Sequence, residues 1–324
     1  MNKKKIIVTG ANGVLGSAFK DKTFLNKYYY YKFIFTDHKT VDLRNLQKTI
    51  NFFKKAKATY LIHLAAVSGG VNFSNKYQAS LLRDNTLMTF NILEAARIFK
   101  IKKTILTLTT GMYPAHIKRV MSEEDIHNGY PPINNYGSSF AKRLIDPAIK
   151  AYRNEYRLDV IGFIVSNLYG ENDNFNLEHT TMLPATIYKA YLAKKNKTKL
   201  EIWGNGNELR DYVYAKDVRN IYMWGLKNYS DSKCINICSG AELSIKNIVY
   251  KICNIFKLEK KHLTFNKIKI TSTKKRKISN LYLKKLYKYK FVNLNEGLNN
   301  TIEWFKKNIK HINIKNKYKY FYHN

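Results

Sequence analysis

Short apolar runs rich in β-branched residues alternate with amphipathic stretches over the first half of the chain. The apolar runs predict strands at residues 4–9, 33–36, 60–64, 104–108 and 160–165. Apolar positions at helical spacing predict helices from residue 15 onward and over residues 46–55, 85–99 and 139–156. Because consecutive parallel strands require crossover helices, this alternation predicts an α/β fold with a doubly wound parallel sheet.

The alternation loosens after about Tyr169 and indicates a smaller C-terminal α/β lobe. We predict a nucleotide-binding domain over residues 1–168, to which segments from about 210–240 return, and a substrate lobe over residues 169–310. The tail, residues 311–324, is rich in Lys, Asn and Tyr, and we expect it to fray. A chain of 324 residues with 45% hydrophobic content is long enough to bury this core.

The chain carries a formal net charge of +34, which raises the question of nucleic-acid binding. Its lysines are spread along the whole sequence rather than gathered in a patch, so we expect no nucleic-acid partner. The positive field still favours an anionic nucleotide substrate. We interpret the densest basic run, residues 274–277, as a solvated loop.

The cysteines and the apolar segments indicate the compartment. Cys234, Cys238 and Cys253 form neither a disulfide framework nor a zinc pattern, so we expect a reducing environment and no metal. No stretch approaches the roughly 20 apolar residues of a membrane span, and the N-terminal apolar run is too short for a signal peptide. These features predict a cytoplasmic protein without a membrane partner.

A glycine-rich loop follows the first predicted strand and opens a helix. Its glycines, Gly10, Gly13 and Gly16, have the spacing that lets backbone amides approach a pyrophosphate at a helix N-terminus. The position of this loop in a βαβ unit predicts a Rossmann-type dinucleotide site. Asp37 at the end of the second strand favours the ribose hydroxyl of NAD, whereas the adjacent His38 and Lys39 favour the 2′-phosphate of NADP, so the choice stays open.

Longer motifs along the chain resemble the extended short-chain dehydrogenase/reductase superfamily and, within it, the GDP-L-fucose synthase family. The resemblance runs from Lys5 to about Phe305 and depends most on an Asp-Asn-Phe-Asn turn and a Lys-Arg-x-Ile-Asp helix. The motifs are Ser68-Gly69-Gly70-Val71, Met112-Tyr113-Pro114, Ile126-His127-Asn128-Gly129, Lys142-Arg143-Leu144-Ile145-Asp146, Asp173-Asn174-Phe175-Asn176, Trp203-Gly204-Asn205-Gly206 and Arg210-Asp211-Tyr212-Val213-Tyr214.

The resemblance implies an NADPH-dependent 3,5-epimerase/4-reductase that converts GDP-4-keto-6-deoxymannose to GDP-L-fucose, and it implies a homodimer. Residues 169–310 would then form the GDP-sugar-binding lobe. The cofactor-binding residues would be Gly10, Asn12, Gly13, Val14, Leu15, Gly16, Asp37, His38, Lys39, Leu64, Ala65, Ala66, Asn85, Lys142, Val165, Asn167 and Leu168. The substrate-binding residues would be Asn167, Lys189, Trp203 and Arg210. The aspartate that the family places near Thr271 to bind a sugar hydroxyl is missing.

Two of the family's catalytic side chains are kept. In the superfamily a Tyr-x-x-x-Lys pair on one helix face protonates the keto oxygen. Lys142 matches the lysine, but Ser138 stands in place of the tyrosine, and its hydroxyl is a poor acid that is too short for the gap. Tyr136 lies on another helical face and would substitute only after a rearrangement. Thr109 matches the serine that hydrogen-bonds the keto oxygen.

The epimerisation pair is replaced. Gly111 occupies the position of the family's cysteine, and Thr181 occupies that of its histidine. His179 lies two residues away and would supply an acid only if its loop moved. Loss of general acid–base groups typically costs about 10²–10⁴-fold each, so the sequence predicts strong impairment.

Three hypotheses therefore remain open at this point. The first is a GDP-L-fucose synthase that uses Lys142 and Thr109, with Ser138, Tyr136 or His179 as substitutes. The second is a catalytically degenerate relative that binds NADP or a nucleotide-sugar as a sensor or partner subunit. The third is a 4-ketoreductase that carries out no epimerisation.

Overall fold

A computed structural model of the chain describes residues 3–266 and 277–312. The strands are β1 (Lys4–Thr9), β2 (Tyr31–Thr36), β3 (Tyr60–His63), β4 (Lys103–Thr109), β5 (Val160–Val165), β6 (Asn167–Tyr169), β7 (Leu200–Trp203), β8 (Leu209–Tyr214), β9 (Ile235–Ile237), β10 (Glu242–Ser244) and β11 (Leu263–Asn266). The helices are α1 (Val14–Ala18), α2 (Lys22–Lys27), α3 (Leu46–Ala56), α4 (Val71–Lys76), α5 (Gln78–Ile98), α6 (Tyr136–Arg143), α7 (Ile145–Tyr156), α8 (Met182–Asn196), α9 (Ala215–Asn228), α10 (Ile245–Phe256), α11 (Leu281–Leu286) and α12 (Leu294–Asn308).

A six-stranded sheet in the order β2-β1-β3-β4-β5-β9 forms the centre of the molecule, and all its strand pairs are parallel. The predicted doubly wound α/β fold is confirmed. The chain leaves β1 toward one edge to form β2 and then returns past β1 to form β3. The connections that follow β1 and β3 therefore lead to opposite faces of the sheet, and sheets of this kind bind ligands in a crevice at this point, at the carboxyl ends of the strands.

Both faces of this sheet are covered, which explains why Ile6, Ile7 and Val8 of β1 and all residues of β5 are apolar and buried. Along β1, Ile6 and Val8 pack on the same face as α1 and α9, whereas Ile7 points to the opposite face, which α3 and α5 cover. These buried layers hold the carboxyl ends of the strands in fixed positions and so fix the crevice.

Two helix boundaries differ from the sequence prediction. Helix α5 begins at Gln78, seven residues before the predicted start. The prediction was too short because polar Asp84 and Asn85 lie on the buried face of the helix and interrupt the apolar pattern. The single helix expected over residues 139–156 is two helices, α6 and α7, which meet at Leu144. The first of them starts at Tyr136, so this tyrosine lies inside the helix rather than before it.

The later elements form two smaller sheets, β10-β8-β6 and β11-β7. Helices α8, α10 and α12 pack around a third apolar core that includes Leu183, Ile248 and Phe305. Strand β9 pairs with β5, and α9 packs on α1, so segments near residues 215–237 join the central sheet. The division of the chain near residue 168 stays a prediction.

Some sequence expectations fall outside the described residues, namely those on Thr271, on residues 274–276 of the basic run and on residues 313–324 of the tail. Across residues 3–266 and 277–312, no helix combines the length and the apolar character needed to cross a membrane.

Candidate active site

The glycine loop between β1 and α1 is packed against the loop that follows β3. Gly10 has φ +65°, and a Cβ there would lie 2.7 Å from the backbone nitrogen of Ala65. A Cβ on Gly16 would lie 2.3 Å from the carbonyl oxygen of Gly10. A Cβ on Gly13 would meet only that same oxygen, at 3.4 Å. Gly10 and Gly16 therefore permit close packing, whereas Gly13 borders open space.

Thr9, at the end of β1, joins the two loops of the crevice. Its Oγ1 accepts hydrogen bonds from the backbone nitrogens of Leu64, at 3.0 Å, and Ala65, at 3.1 Å. Because these bonds occupy both lone pairs, the hydroxyl hydrogen points to Nδ1 of His63, 2.9 Å away. Burial, reinforced by the charge of Lys142, lowers the pKa of His63 to about 3, so the imidazole is neutral. We had not singled out Thr9 from the sequence.

Asn85 fixes the segment just beyond these residues. Its Oδ1 accepts from the backbone nitrogen of Val67 at 2.9 Å, and its Nδ2 donates to the carbonyls of Val67 and Leu81 at 3.0 and 2.8 Å. The amide is buried and fully engaged in these bonds. Asn85 thus holds the loop in which Leu64, Ala65 and Ala66 lie, and a direct contact with the cofactor stays a prediction.

The carboxylate of Asp37 is engaged by its own turn. Oδ1 accepts from the backbone nitrogens of Lys39 and Thr40, both at 3.0 Å, and Oδ2 accepts from the side-chain amide of Asn12. Partial burial raises the pKa of Asp37, but the bonds from Thr40 and Lys39 outweigh it and place the pKa below its usual value. His38 and Lys39 are exposed beside this turn.

Lys142 lies on α6 with its ammonium under the carboxyl end of β4. Its Nζ donates to the carbonyl oxygen of Thr107 at 2.9 Å, and the residue is 8% exposed. Burial lowers the pKa of Lys142 to about 8. Thr109, two residues along the same strand, accepts a hydrogen bond from the backbone nitrogen of Gly111 at 3.2 Å. The structure thus brings both retained catalytic candidates to one strand end.

Ser138 and Tyr136 lie on the first turn of α6 and have different surroundings. Ser138 is half-buried, four residues before Lys142 and on its side of the helix. Tyr136 is 39% exposed, and its ring packs on Phe140 at 4.5 Å and stacks near Tyr130 at 6.5 Å. This packing matches an ordinary surface aromatic, and a role for either residue in proton transfer stays a prediction.

The side-chain amide of Asn135 borders the space that a side chain at Gly111 would enter. Nδ2 of Asn135 lies 3.0 Å from the point that a Cβ at Gly111 would take, and Oγ1 of Thr109 lies 3.6 Å from that point. The same Nδ2 donates to Oγ of Ser139, which donates to the carbonyl of Gly111 at 3.0 Å. Asn135 was missed from the sequence, because only the fold brings it beside Gly111.

The two residues considered for the role of the family's histidine, Thr181 and His179, have different surroundings. Thr181 is exposed and precedes α8 as its N-cap. His179 is buried, with its ring edge-on to Phe73 at 4.9 Å, and its carbonyl accepts from the backbone nitrogen of Gly70. His179 would have to leave this packing to act as an acid, so that role stays a prediction.

The Lys-Arg-x-Ile-Asp helix has a positioning role that sequence reasoning did not assign. Arg143 donates to the carbonyl of Gly129 at 2.7 Å and to that of Met112. Asp146 accepts from Lys150 at 2.9 Å and lies 3.0 Å from Nε2 of His127. The motif therefore fastens the loop that carries residues 109–113 to the helix that carries Lys142.

The residues assigned to the GDP-sugar lie on the later elements. Nζ of Lys189 lies 5.2 Å from the ring centroid of Trp203, and both side chains contact Glu201. Burial lowers the pKa of Arg210, a residue of β8. Asn167 is exposed just beyond β5 and donates to the carbonyl of Asp211 at 2.8 Å. Substrate binding by these residues stays a prediction.

These features define a nucleotide-dependent epimerase or dehydratase of the short-chain type, and comparison with known proteins gives the same class. Residues 6–238 match the NAD dependent epimerase/dehydratase family, and the chain belongs to it. The match contains the glycine loop, the Lys142 helix and strand β9.

Within this family the chain belongs with the GDP-L-fucose synthases. It is 31% identical over 307 residues to the GDP-L-fucose synthase of Dictyostelium discoideum, covering 94% of this chain and 96% of that protein. A GDP-L-fucose synthetase from Naegleria fowleri, bound to NADP, has a TM-score of 0.89 and 29% identity, covering 96% of this chain and 97% of that one. A GDP-mannoheptose C4 reductase from Campylobacter jejuni, with NADP bound, has a TM-score of 0.82 and 25% identity, covering 94% and 99%.

Proposed function

We propose that this chain uses NADPH to convert GDP-4-keto-6-deoxymannose to GDP-L-fucose, the reaction after which its fucose-synthase relatives are named. The observation that carries the proposal is the convergence of Lys142 and Thr109 at the carboxyl end of β4, beside the crevice between β1 and β3. When bound, the reduced nicotinamide supplies a hydride to the C4 carbonyl carbon. Thr109 would hydrogen-bond the keto oxygen, and Lys142 would lie beside the nicotinamide ribose.

The glycine loop fits a dinucleotide. The open space over Gly13 leaves the backbone of the loop accessible to a pyrophosphate, while Gly10 and Gly16 keep the loop packed on the sheet. The carboxylate of Asp37 already accepts from Asn12 and from the backbone nitrogens of Lys39 and Thr40, so a 2′-hydroxyl would have to compete with these donors for it. Exposed Lys39 supplies a positive charge beside this turn, and His38 supplies a ring hydrogen-bond donor, so we propose NADP rather than NAD.

Incubation of the purified protein with NADPH and GDP-4-keto-6-deoxymannose tests the proposal. We expect oxidation of NADPH and formation of GDP-L-fucose, identified by its retention time and mass. A folded protein that binds NADPH but forms no reduced sugar would contradict an enzymatic role and favour a sensor or partner subunit. In that case the triple variant Ser138→Tyr, Gly111→Cys and Thr181→His should gain the activity that the parent lacks.

A second candidate is a GDP-sugar 4-ketoreductase that carries out no epimerisation. It is favoured by Gly111, whose missing side chain is bordered by the amide of Asn135, and by the burial of His179 against Phe73. Neither an amide nor a threonine hydroxyl removes a carbon-bound proton at neutral pH. Reaction in D₂O separates the candidates, because epimerisation places solvent deuterium at C3 and C5 of the product, whereas reduction alone oxidises NADPH without placing deuterium there.

We also propose that the chain forms a homodimer through the outer faces of α5 and α7 and acts in the cytoplasm. Large apolar side chains are 36–43% exposed along these helices and at the residue between α6 and α7, an arrangement that favours helix pairing. They are Leu82, Leu87, Phe90, Ile98, Leu144 and Tyr156. Sedimentation equilibrium should give twice the 38.0 kDa chain mass, and Phe90→Glu should shift it toward the monomer.

A further inference from the structure

The ammonium of Lys142 is a buried cation without a counter-ion. Its one hydrogen-bond acceptor within the described residues is the carbonyl of Thr107, so two of its three N–H groups have no protein partner there. In the Tyr-x-x-x-Lys arrangement a phenol would stand four residues earlier and above this ammonium. Here the residue is Ser138, so no phenol stands one helical turn before the ammonium.

Resting on the proposed function, we propose that Lys142 itself is the general acid that protonates the 4-keto oxygen. As hydride reaches C4, the carbonyl π bond breaks and its electron pair on oxygen takes a proton from Nζ. One N–H bond breaks, one O–H bond forms, and the neutral amine regains a proton from solvent before the next turnover. Thr109 donates a hydrogen bond to the same oxygen and positions it.

The surroundings of Lys142 suit this role. Burial lowers the pKa of its ammonium to about 8. A general acid with a pKa near the working pH is protonated before the reaction and transfers its proton readily. His63 on β3, which feels the charge of Lys142, is neutral with a pKa of about 3. Tyr222 on α9 donates to the side chain of Thr107, whose carbonyl accepts from Lys142, and burial raises the pKa of this tyrosine.

The carboxylates of Asp84 and Asp146, on the helices next to α6, already have ion-pair partners. Asp84 on α5 contacts Arg44 and Arg83, and Asp146 on α7 contacts Lys150 and His127. On α6 itself, Arg143 bonds backbone carbonyls, and on α4 the ammonium of Lys76 lies 5.3 Å from the ring centroid of Tyr77. No ion pair involves Lys142 among the residues that the structure describes, so the ammonium is not held charged by a carboxylate.

Lys142→Arg provides the decisive variant, because guanidinium keeps the positive charge but does not release a proton at accessible pH. We expect NADPH oxidation by this variant to fall at least about 10²-fold, in line with loss of a general acid. We expect its dissociation constant for NADPH, measured by fluorescence, to change by a much smaller factor than the rate, because the guanidinium keeps a cationic hydrogen-bond donor at this position. Adding Ser138→Tyr to Lys142→Arg should restore part of the rate, since a phenol then supplies the proton.

Three further measurements decide the assignment. The parent rate should fall above about pH 8, and the ¹⁵N resonance of Lys142 Nζ, assigned by its absence in Lys142→Arg, should titrate with the same midpoint. Ser138→Ala and Tyr136→Phe should keep the parental rate and profile. A large loss in either variant would transfer the role to that residue and overturn the proposal, as would a Lys142→Arg enzyme of parental rate.

The two levels of the proposal fail differently. A parent protein that binds NADPH yet never oxidises it at any pH contradicts the proposed function and, with it, this role. A parent that oxidises NADPH while its rate is independent of pH between 7 and 9 keeps the function and removes Lys142 as the acid.

Discussion

Three Gly→Ala substitutions in the loop after β1 should have separate effects on folding and on cofactor binding. At Gly10 an alanine must keep φ near +65°, which costs about 1–2 kcal/mol, and its Cβ would lie under 3 Å from backbone atoms of Leu64 and Ala65. Relief of this clash moves the loop off Thr9 and weakens two hydrogen bonds of about 0.5–1.5 kcal/mol each. We expect Gly10→Ala to lower the free energy of unfolding by about 2–5 kcal/mol.

Gly13→Ala is the matched control. Gly13 has φ −78° and ψ 171°, which alanine adopts without strain, and its Cβ would make only one contact, at 3.4 Å. The free energy of unfolding of Gly13→Ala should stay within about 0.5 kcal/mol of the parent value. The affinity of this variant for NADPH should fall, because the new methyl enters the space above the loop. Gly16→Ala should be destabilised, since its Cβ would lie 2.3 Å from the carbonyl oxygen of Gly10.

Urea unfolding followed by circular dichroism measures the stabilities, and quenching or enhancement of NADPH fluorescence measures the affinities. The reasoning would be refuted by a Gly10→Ala protein as stable as the parent. It would equally be refuted by a Gly13→Ala protein that binds NADPH with parental affinity, because the pyrophosphate would then lie elsewhere.

Three other perturbations test the scaffold around the crevice. Because the pKa of His63 falls from 6.5 unfolded to about 3 folded, its contribution to stability is complete above pH 6.5 and is lost as pH falls. Between pH 6.5 and 4 this loss of stability amounts to about 3 kcal/mol. Urea midpoints should therefore fall less steeply with decreasing pH in His63→Gln than in the parent. Midpoints that fall equally steeply in both proteins would exclude His63 as the cause. Asn85→Leu should lower the free energy of unfolding by about 2 kcal/mol or more, because backbone groups of Val67 lose buried partners; urea unfolding checks it, and an unchanged midpoint would contradict it. Arg143→Met should release the carbonyls of Met112 and Gly129 and lower the rate of NADPH oxidation more than the affinity for NADPH; equal losses of both would contradict a role confined to this loop.

The central sheet could be predicted closely from the sequence because its signals are local. Strands β1 and β5 have the predicted bounds, since β5 is a continuous apolar run buried on both faces and β1 contains the buried apolar run Ile6-Ile7-Val8. Helix α5 was shortened in the prediction because Asp84 and Asn85 look like surface residues, although both are buried by partners distant in sequence. The identity of a polar residue inside a helix does not reveal which distant residue will bury and bond it in the folded protein.

The candidate site divides in the same way. The glycine loop is found from its spacing and Lys142 from the family resemblance of the motif around it, because a turn and a helix face are properties of a few consecutive residues. Thr9 and Asn135 were missed, because their roles depend on hydrogen bonds and contacts to other loops. The cofactor edge of the site was therefore more predictable than the edge where the substrate would react.

The replaced catalytic positions have different costs for the fold, and this difference explains how the scaffold accommodates them. Ser138 is half-buried and Thr181 is exposed, so either position takes a small hydroxyl without leaving a sealed cavity. Gly111 is different, because a side chain there must displace the amide of Asn135 by a few tenths of an ångström and strain its bond to Ser139. Proton-transfer groups at Ser138 and Thr181 can thus be exchanged independently of folding, whereas position 111 is coupled to Asn135. Gly111→Cys should therefore be measured for epimerisation both alone and together with Asn135→Ala, which makes room for the thiol beside Thr109.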